Sequence, residues 1–258
     1  MPIYYLRQLS GDRRTSTANR HLGVSLAFIA GGINAGGFLA VDRYTSHMTG
    51  AISSLADTII THDLETVIIG LGSLVAFVSG SAYSSILINW GRHHRTHSKY
   101  AWPLLWEAML LLVFGLMGGY LELHQKGFVP ITVMLLCFIM GLQNAIITKI
   151  SNSEIRTTHM TGIVTDIGIE LGKLFYINSQ RESAHYEPVR ANKTRLLVLC
   201  SLLLAFVSGG AAGAVGFNTI GYSATIPLAA FLVVLAIVPL VDDVRTRRRV
   251  FLRHRLQR

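Results

Sequence analysis

Apolar residues in this chain run on rather than alternate. Leu22–Val41, Thr66–Gly91, Phe128–Thr148 and Leu196–Val241 contain no Asp, Glu, Lys or Arg. A hydrocarbon core of ~30 Å calls for about 20 consecutive apolar residues in a helix. Broken by their turn residues and flanking charges, these stretches predict six transmembrane helices. They are Leu22–Val41, Glu65–Trp90, Ala101–Leu121, Phe128–Ile150, Arg195–Phe217 and Tyr222–Val241. Trp102 and Trp106 open the third as interfacial anchors.

Two shorter stretches follow the first and fourth spans. Ala51–Ile60 is mostly apolar, with Asp57 its only charge, and Ile163–Leu174 carries Asp166, Glu170 and Lys173 on an amphipathic pattern. Both are too short to cross. Two readings are open for them: half-helices dipping toward the midplane beside a cavity, or helices lying flat at the interface.

The reason to treat these stretches as a pair is a self-match. Asn34-Ala35 pairs with Asn144-Ala145. Thr45-Ser46-His47-Met48-Thr49-Gly50 pairs with Thr157-Thr158-His159-Met160-Thr161-Gly162, and Ala76-Phe77-Val78-Ser79-Gly80 pairs with Ala205-Phe206-Val207-Ser208-Gly209. The matches fall in the same order in both halves. The expected fold is therefore an all-α integral membrane protein of two inverted three-helix repeats. Each repeat carries a short half-helix or interfacial helix after its first span. An odd number of spans per repeat turns the second one over in the bilayer. The organisation read from this is a basic segment at 1–21, a first repeat at 22–127, a second at 128–241 and a basic tail at 242–258.

Charge supplies orientation. The chain holds 23 Lys and Arg against 14 Asp and Glu. With a cytoplasmic N-terminus, only Arg43 and Lys126 fall outside and the other twenty-one lie inside. Both termini are then cytoplasmic, with the tail RTRRRVFLRHRLQR lying on anionic lipid. The net charge of +9 would suggest nucleic acid in a soluble protein. Here no basic module stands apart from the spans, so nucleic acid is not expected as a partner. The first 21 residues lack the apolar centre of a cleavable signal peptide, so the first span is expected to serve as an uncleaved anchor in a bacterial inner membrane. The two cysteines, Cys137 and Cys200, lie in apolar runs and predict no disulfide framework.

Candidate chemistry gathers on the paired motifs. Asn34 and Asn144 are amides in span interiors. They suit either a broken helix at a midplane site or a hydrogen bond between helices across a small-residue contact. The hydroxyls of Thr45, Ser46, Thr157 and Thr158 precede a helix start. They can cap it, or with its N–H groups and positive dipole end hold a polar or anionic solute. His47 and His159 are candidates for gating or proton transfer, or are interfacial side chains with their tips in water. His-Met pairs also invite soft metals, but two pairs on opposite faces make a poor single site, and no metal or cofactor is expected. Glu107 is a functional candidate for proton transfer or gating unless it reaches water near the cytoplasmic end of its span. Ser79-Gly80 and Ser208-Gly209-Gly210 read as close helix packing. His93, His94 and His97 sit in a basic loop and are expected to be solvated.

The blocks running from Asn34 to Thr49-Gly50, the GLQNA at Gly141–Ala145 and the RTTHMTG at Arg156–Gly162 resemble the YoaK-like family of bacterial multi-spanning membrane proteins, a domain of unknown function (1275). The resemblance covers Leu22–Val241. It implies a multi-pass bacterial membrane protein and supplies no substrate or catalytic residue.

These readings converge on a membrane transporter of a small polar or anionic solute, bound between the repeats by Asn34, His47, Thr49, Asn144, His159 and Thr161. The alternatives are a channel of similar architecture and a non-transport membrane protein that handles metal or haem, senses or scaffolds. The partners expected are the lipid bilayer, the small-molecule solute and a further copy of the chain. No nucleotide loop, HExxH or GxSxG motif is present, so no enzyme is expected.

Overall fold

The computed structural model describes residues 15–61, 63–94, 96, 98–123, 125–153, 155–177 and 188–256. Among them every regular element is helical: α1 (Ser16–Val41), α2 (Met48–Thr61), α3 (Leu64–His93), α4 (Ala101–Leu123), α5 (Gln125–Ile150), α6 (Met160–Phe175), α7 (Lys193–Ile220) and α8 (Thr225–Leu256), with a 3-10 turn at Gly221–Ala224. Five of the six apolar stretches lie inside one α-helix each, and the sixth begins at Tyr222 in the 3-10 turn and continues into α8. Most of the expected N-terminal segment, residues 1–14, is outside the described residues, as is His97 of the basic loop. In the basic tail the helix continues to Leu256.

Local chemistry sets the ends. Thr15 caps α1 by accepting from the Ala18 amide at 3.2 Å. Asp63 caps α3 through Thr66 and Asn192 caps α7 through Arg195, at 3.3 and 3.0 Å. The chain leaves α1 through Asp42 in the left-handed region, φ 52°, with its amide bonded to the Phe38 carbonyl. Among the described residues five stretches are long and apolar enough to cross a membrane, the last of them 52 residues from Lys193 to Val244. At 1.5 Å per residue that stretch would reach roughly 78 Å, more than twice the ~30 Å core. It does not run straight: Gly221, at φ 59°, and the 3-10 turn divide it into α7 and α8.

The helices pair across the halves of the chain. α1 packs on α7, α3 on α5, and α4 on α8. Glycines bring the first two pairs together almost backbone to backbone. A β-carbon at Gly31 would stand 2.1 Å from the Phe206 carbonyl oxygen, and one at Gly209 would stand 1.9 Å from that of Phe28. The other pair repeats this: a β-carbon at Gly141 would stand 2.0 Å from the Phe77 oxygen, and one at Gly80 would stand 2.1 Å from that of Phe138. The expectation of tight packing is met at Gly80 and Gly209 but not at Gly210, where a β-carbon would find its nearest neighbour, the Gly31 oxygen, at an ordinary 3.7 Å. Small residues serve this way in lipid because apolar burial gives helices no preference for one another there.

The core is Leu26, Ile29 and Ile33 of α1, Leu104, Leu111 and Phe114 of α4, Leu136, Ile139 and Met140 of α5 and Leu232 of α8. The outer surface is apolar too, with Ile68, Val75, Leu116, Leu197 and Leu204 exposed. One expectation is corrected here. The glycines around Asn34 do not break its helix, and α1 and α5 run unbroken through Asn34 and Asn144. Gly31 instead admits α7, and Gly36 faces the ring of Phe217.

Candidate functional site

The two paired motifs meet. After α1 ends at Val41 the chain turns back, and the Ser46 amide donates to Asn34 Oδ1 at 3.3 Å. Asn34 lies about two turns before the end of its helix, so the segment re-enters alongside α1 rather than leaving it. The second motif does the same: Thr158 Oγ1 donates to Asn144 Oδ1 at 2.8 Å, and Asn144 Nδ2 donates to the Met140 carbonyl at 2.9 Å. Each amide thus ties its own unit's motif to the preceding helix. Neither bridges two long helices, and neither hydroxyl caps α2 or α6. His159 stands at the N-cap of α6 without a side-chain cap bond.

Between the motifs lies an open cavity of about 680 Å³. All six residues expected to bind a solute line it: Asn34, His47, Thr49, Asn144, His159 and Thr161. Around them stand Met48 and Met160, and Phe77 of α3 and Phe206 of α7. Thr49 and Thr161 fall in the first turns of α2 and α6, so two helix N-termini border one space. That is an environment suited to negative charge or to carbonyl and hydroxyl acceptors.

Two further cavities flank it. One, of about 340 Å³, is lined by Arg43, Gly50, Ser54, Thr66 and Ser73 among others, and it shares Tyr44, His47 and Met48 with the central space. The other, of about 530 Å³, is lined by Gly162, Thr165, Asp166 and Arg195, and it shares Arg156, His159 and Thr161. Each histidine therefore stands between the central cavity and a flanking one. Their rings fold back over the helix that follows. A β-carbon at Gly50 would lie 2.2 Å from His47 Cδ2, and one at Gly162 would lie 2.5 Å from His159 Cδ2. The motif glycine is there to admit the imidazole, since any side chain at that point would displace it.

Glu107 does not join this site. It sits in α4 away from the three cavities, 0% exposed, and neither carboxylate oxygen has a hydrogen-bond partner among the described residues. The alternative in which it reaches water is thereby corrected. Position alone suggested an end-of-span carboxylate free to bend outward, but packing between α4 and its neighbours closes over it. The hydroxyls of Thr45 and Thr157, a matched pair, are likewise buried without a partner.

Outside the long helices, Glu170 of α6 is buried, accepts from Lys173 Nζ at 2.9 Å and takes the Asn192 amide at 2.7 Å. These bonds hold its carboxyl below the usual range, the lysine contributing most. Arg195 pairs with Asp166 at 2.9 Å. Together they clamp α6 to the start of α7.

Sequence reasoning overlooked five wall residues, Thr148 of α5 among them. Phe77 and Phe206 were visible as matched positions but read as packing. Tyr44 and Arg156 occupy the same place before the two motifs, and aligning the halves one residue further upstream would have shown them.

A family model described as protein of unknown function (DUF1275) matches residues 22–238. The UPF0700 transmembrane protein YoaK of Bacillus subtilis (strain 168) is 26% identical over 196 residues, covering 74% of this chain and 85% of that protein. No solved structure matches. With its long apolar helices and a transmembrane relative, the chain is a multi-pass membrane protein.

Proposed function

The chain belongs to the DUF1275 family, and on that premise we propose that it is a transporter of a small polar or anionic solute, bound in the central cavity between two inverted repeats. The observation that carries this is the convergence of six residues from two distant, matched motifs on one space, with both motif histidines at its exits.

In this reading six helices cross the membrane: α1, α3, α4, α5, α7 and α8. The division at Gly221 gives the last two their separate crossings. α2 and α6 are half-helices. Each starts beside Asn34 or Asn144, deep in its unit, and at about 1.5 Å per residue 14 or 16 residues reach ~21–24 Å, short of a full crossing. Non-helical backbone at that depth is tolerated where it lines a cavity. Matched half-helices on opposite sides are how inverted-repeat carriers build a midplane site. The excess of Lys and Arg on one side puts both termini in the cytoplasm, in a bacterial inner membrane. No catalytic role is assigned to any residue.

The test has two steps. Thermal unfolding of the purified chain against a panel of small anions and polar metabolites identifies a stabilising solute by linkage. That solute, labelled, is then followed into proteoliposomes. Saturable uptake and exchange, lost in the double variant Asn34→Ala with Asn144→Ala, is the expected result. Conductance without exchange would make the protein a channel. A folded double variant with undiminished exchange would remove the cavity from the path.

A further inference from the structure

The central cavity is built from matched pairs with one break in the match. Tyr44 and Arg156 stand at equivalent places and both line it. The break extends to a second pair of matched positions. Tyr44 stacks on Phe38, ring centroids 4.7 Å apart and planes 18° apart. The position matched to Phe38 is Thr148, which also lines the cavity. One end of the space is therefore aromatic, and the other carries a guanidinium and a hydroxyl. Among the described residues Arg156 pairs with no acid, whereas Arg195 nearby pairs with Asp166. It is the only Lys, Arg, Asp or Glu among the residues described as lining this cavity.

A solute with the same group at both ends would be served by matched ends. We propose that the central cavity takes a small organic monoanion with a flat apolar body, its carboxylate toward Arg156 and its body over Tyr44. The guanidinium fork matches a carboxylate with two parallel hydrogen bonds. Tyr44, already held by Phe38, offers a ring face for offset stacking. A single fixed positive charge balances one negative charge and leaves a second one uncompensated, which disfavours dianions. A space of this size holds a solute of about ten heavy atoms with its water. The assignment rests on the cavity being a solute site, as set out above.

The experiment measures binding to the full chain in detergent, by calorimetry and thermal unfolding, with three probes: benzoate, formate and benzamide. Benzoate is expected to bind and stabilise, formate to bind about tenfold more weakly for want of a stacking body, and benzamide not to bind. Arg156→Gln removes benzoate binding and Arg156→Lys keeps part of it. Tyr44→Ser brings benzoate down to the level of formate and leaves formate unchanged. Both side chains are exposed, so the variants keep the fold, Tyr44→Ser losing only its stack on Phe38, and cooperative unliganded melting with an unchanged helical circular-dichroism spectrum serves as the folding control. Equal binding of benzoate and formate, binding of benzamide as tight as benzoate, indifference to Arg156→Gln, or no binding of benzoate would each overturn the proposal. Transport fails separately. Benzoate bound through Arg156 but never exchanged across a bilayer would refute the carrier and leave this assignment standing. Exchange of formate or benzamide without benzoate would do the reverse.

Discussion

Gly209 and Gly210 are neighbours on α7 that the structure treats in opposite ways. A β-carbon at 209 would stand 1.9 Å from the Phe28 carbonyl oxygen, while one at 210 would have its nearest neighbour, the Gly31 oxygen, at 3.7 Å. Ordinary contact begins near 3.4 Å. Gly209→Ala must therefore push α1 and α7 apart by about 1.5 Å, because the obstacle is helix backbone and cannot rotate away. Inserting one carbon into a packed interface costs about 1–3 kcal/mol, and the upper end applies because separating the helices thins their dispersion contacts along several turns. No hydrophobic term restores the loss, since lipid solvates the parted faces as well as they solvate each other. Gly210→Ala makes only ordinary contact and gains up to about 1 kcal/mol of helix propensity. Thermal unfolding in a mild detergent is the assay, with Gly80→Ala as the matched control: its β-carbon would lie 2.1 Å from the Phe138 oxygen, so its loss should equal that of Gly209→Ala. Equal melting temperatures for the 209 and 210 variants, or a loss at 209 without one at 80, would refute the paired packing of α1 on α7 and α3 on α5.

Gly50→Ala and Gly162→Ala meet only the far end of a histidine ring, so they should leave stability within about 0.5 kcal/mol while displacing the imidazole, visible as shifted side-chain signals in spectra of isotope-labelled histidine; unchanged signals would mean the rings do not rest there. The α6–α7 clamp should depend on pH. Glu170 is held below its ordinary value, so its contribution is complete above the unfolded range near ~4.3 and is lost as pH falls through the lower folded value. Hydrogen exchange in α6 should therefore rise on acidification below about pH 4, and Glu170→Gln should exchange faster at neutral pH and lose that pH dependence. Glu107 is sealed in α4 with two unpartnered oxygens. Replacing it with leucine should stabilise the protein by about 1–3 kcal/mol, and a destabilised Glu107→Leu would show that the carboxyl has a partner. Loss of solute exchange in a stabilised variant would place that carboxyl in the transport cycle.

Much of the site was readable from the chain because the two motifs repeat. A six-residue block recurring after a matched Asn-Ala marks a common local structure, and the common structure is a return of the chain against its own helix, held by Asn34 in one half and Asn144 in the other. What the motifs did not reveal is what their hydroxyls do. Thr158 stands where a cap belongs, yet its hydroxyl donates to Asn144 on the preceding helix, and at Ser46 it is the backbone amide, not the hydroxyl, that Asn34 holds. The wall residues Tyr44 and Arg156 were passed over because they differ, and a search for repeats sees likeness.

By itself the sequence determined the helices, their approximate ends and the pairing of positions between halves. These are local matters: backbone groups in hydrocarbon must be satisfied within the same segment, so an uncharged run of sufficient length leaves a helix as its choice. Tertiary structure decided that α1 joins α7 and α3 joins α5, that Glu107 is closed off from water, and that an aromatic and a cationic side chain face one cavity. The two pairings depend on carbonyl oxygens fitting against particular glycines, Phe206 against Gly31 and Phe28 against Gly209 in one, Phe77 against Gly141 and Phe138 against Gly80 in the other, and a hydropathy pattern carries no record of which apolar helix another will meet.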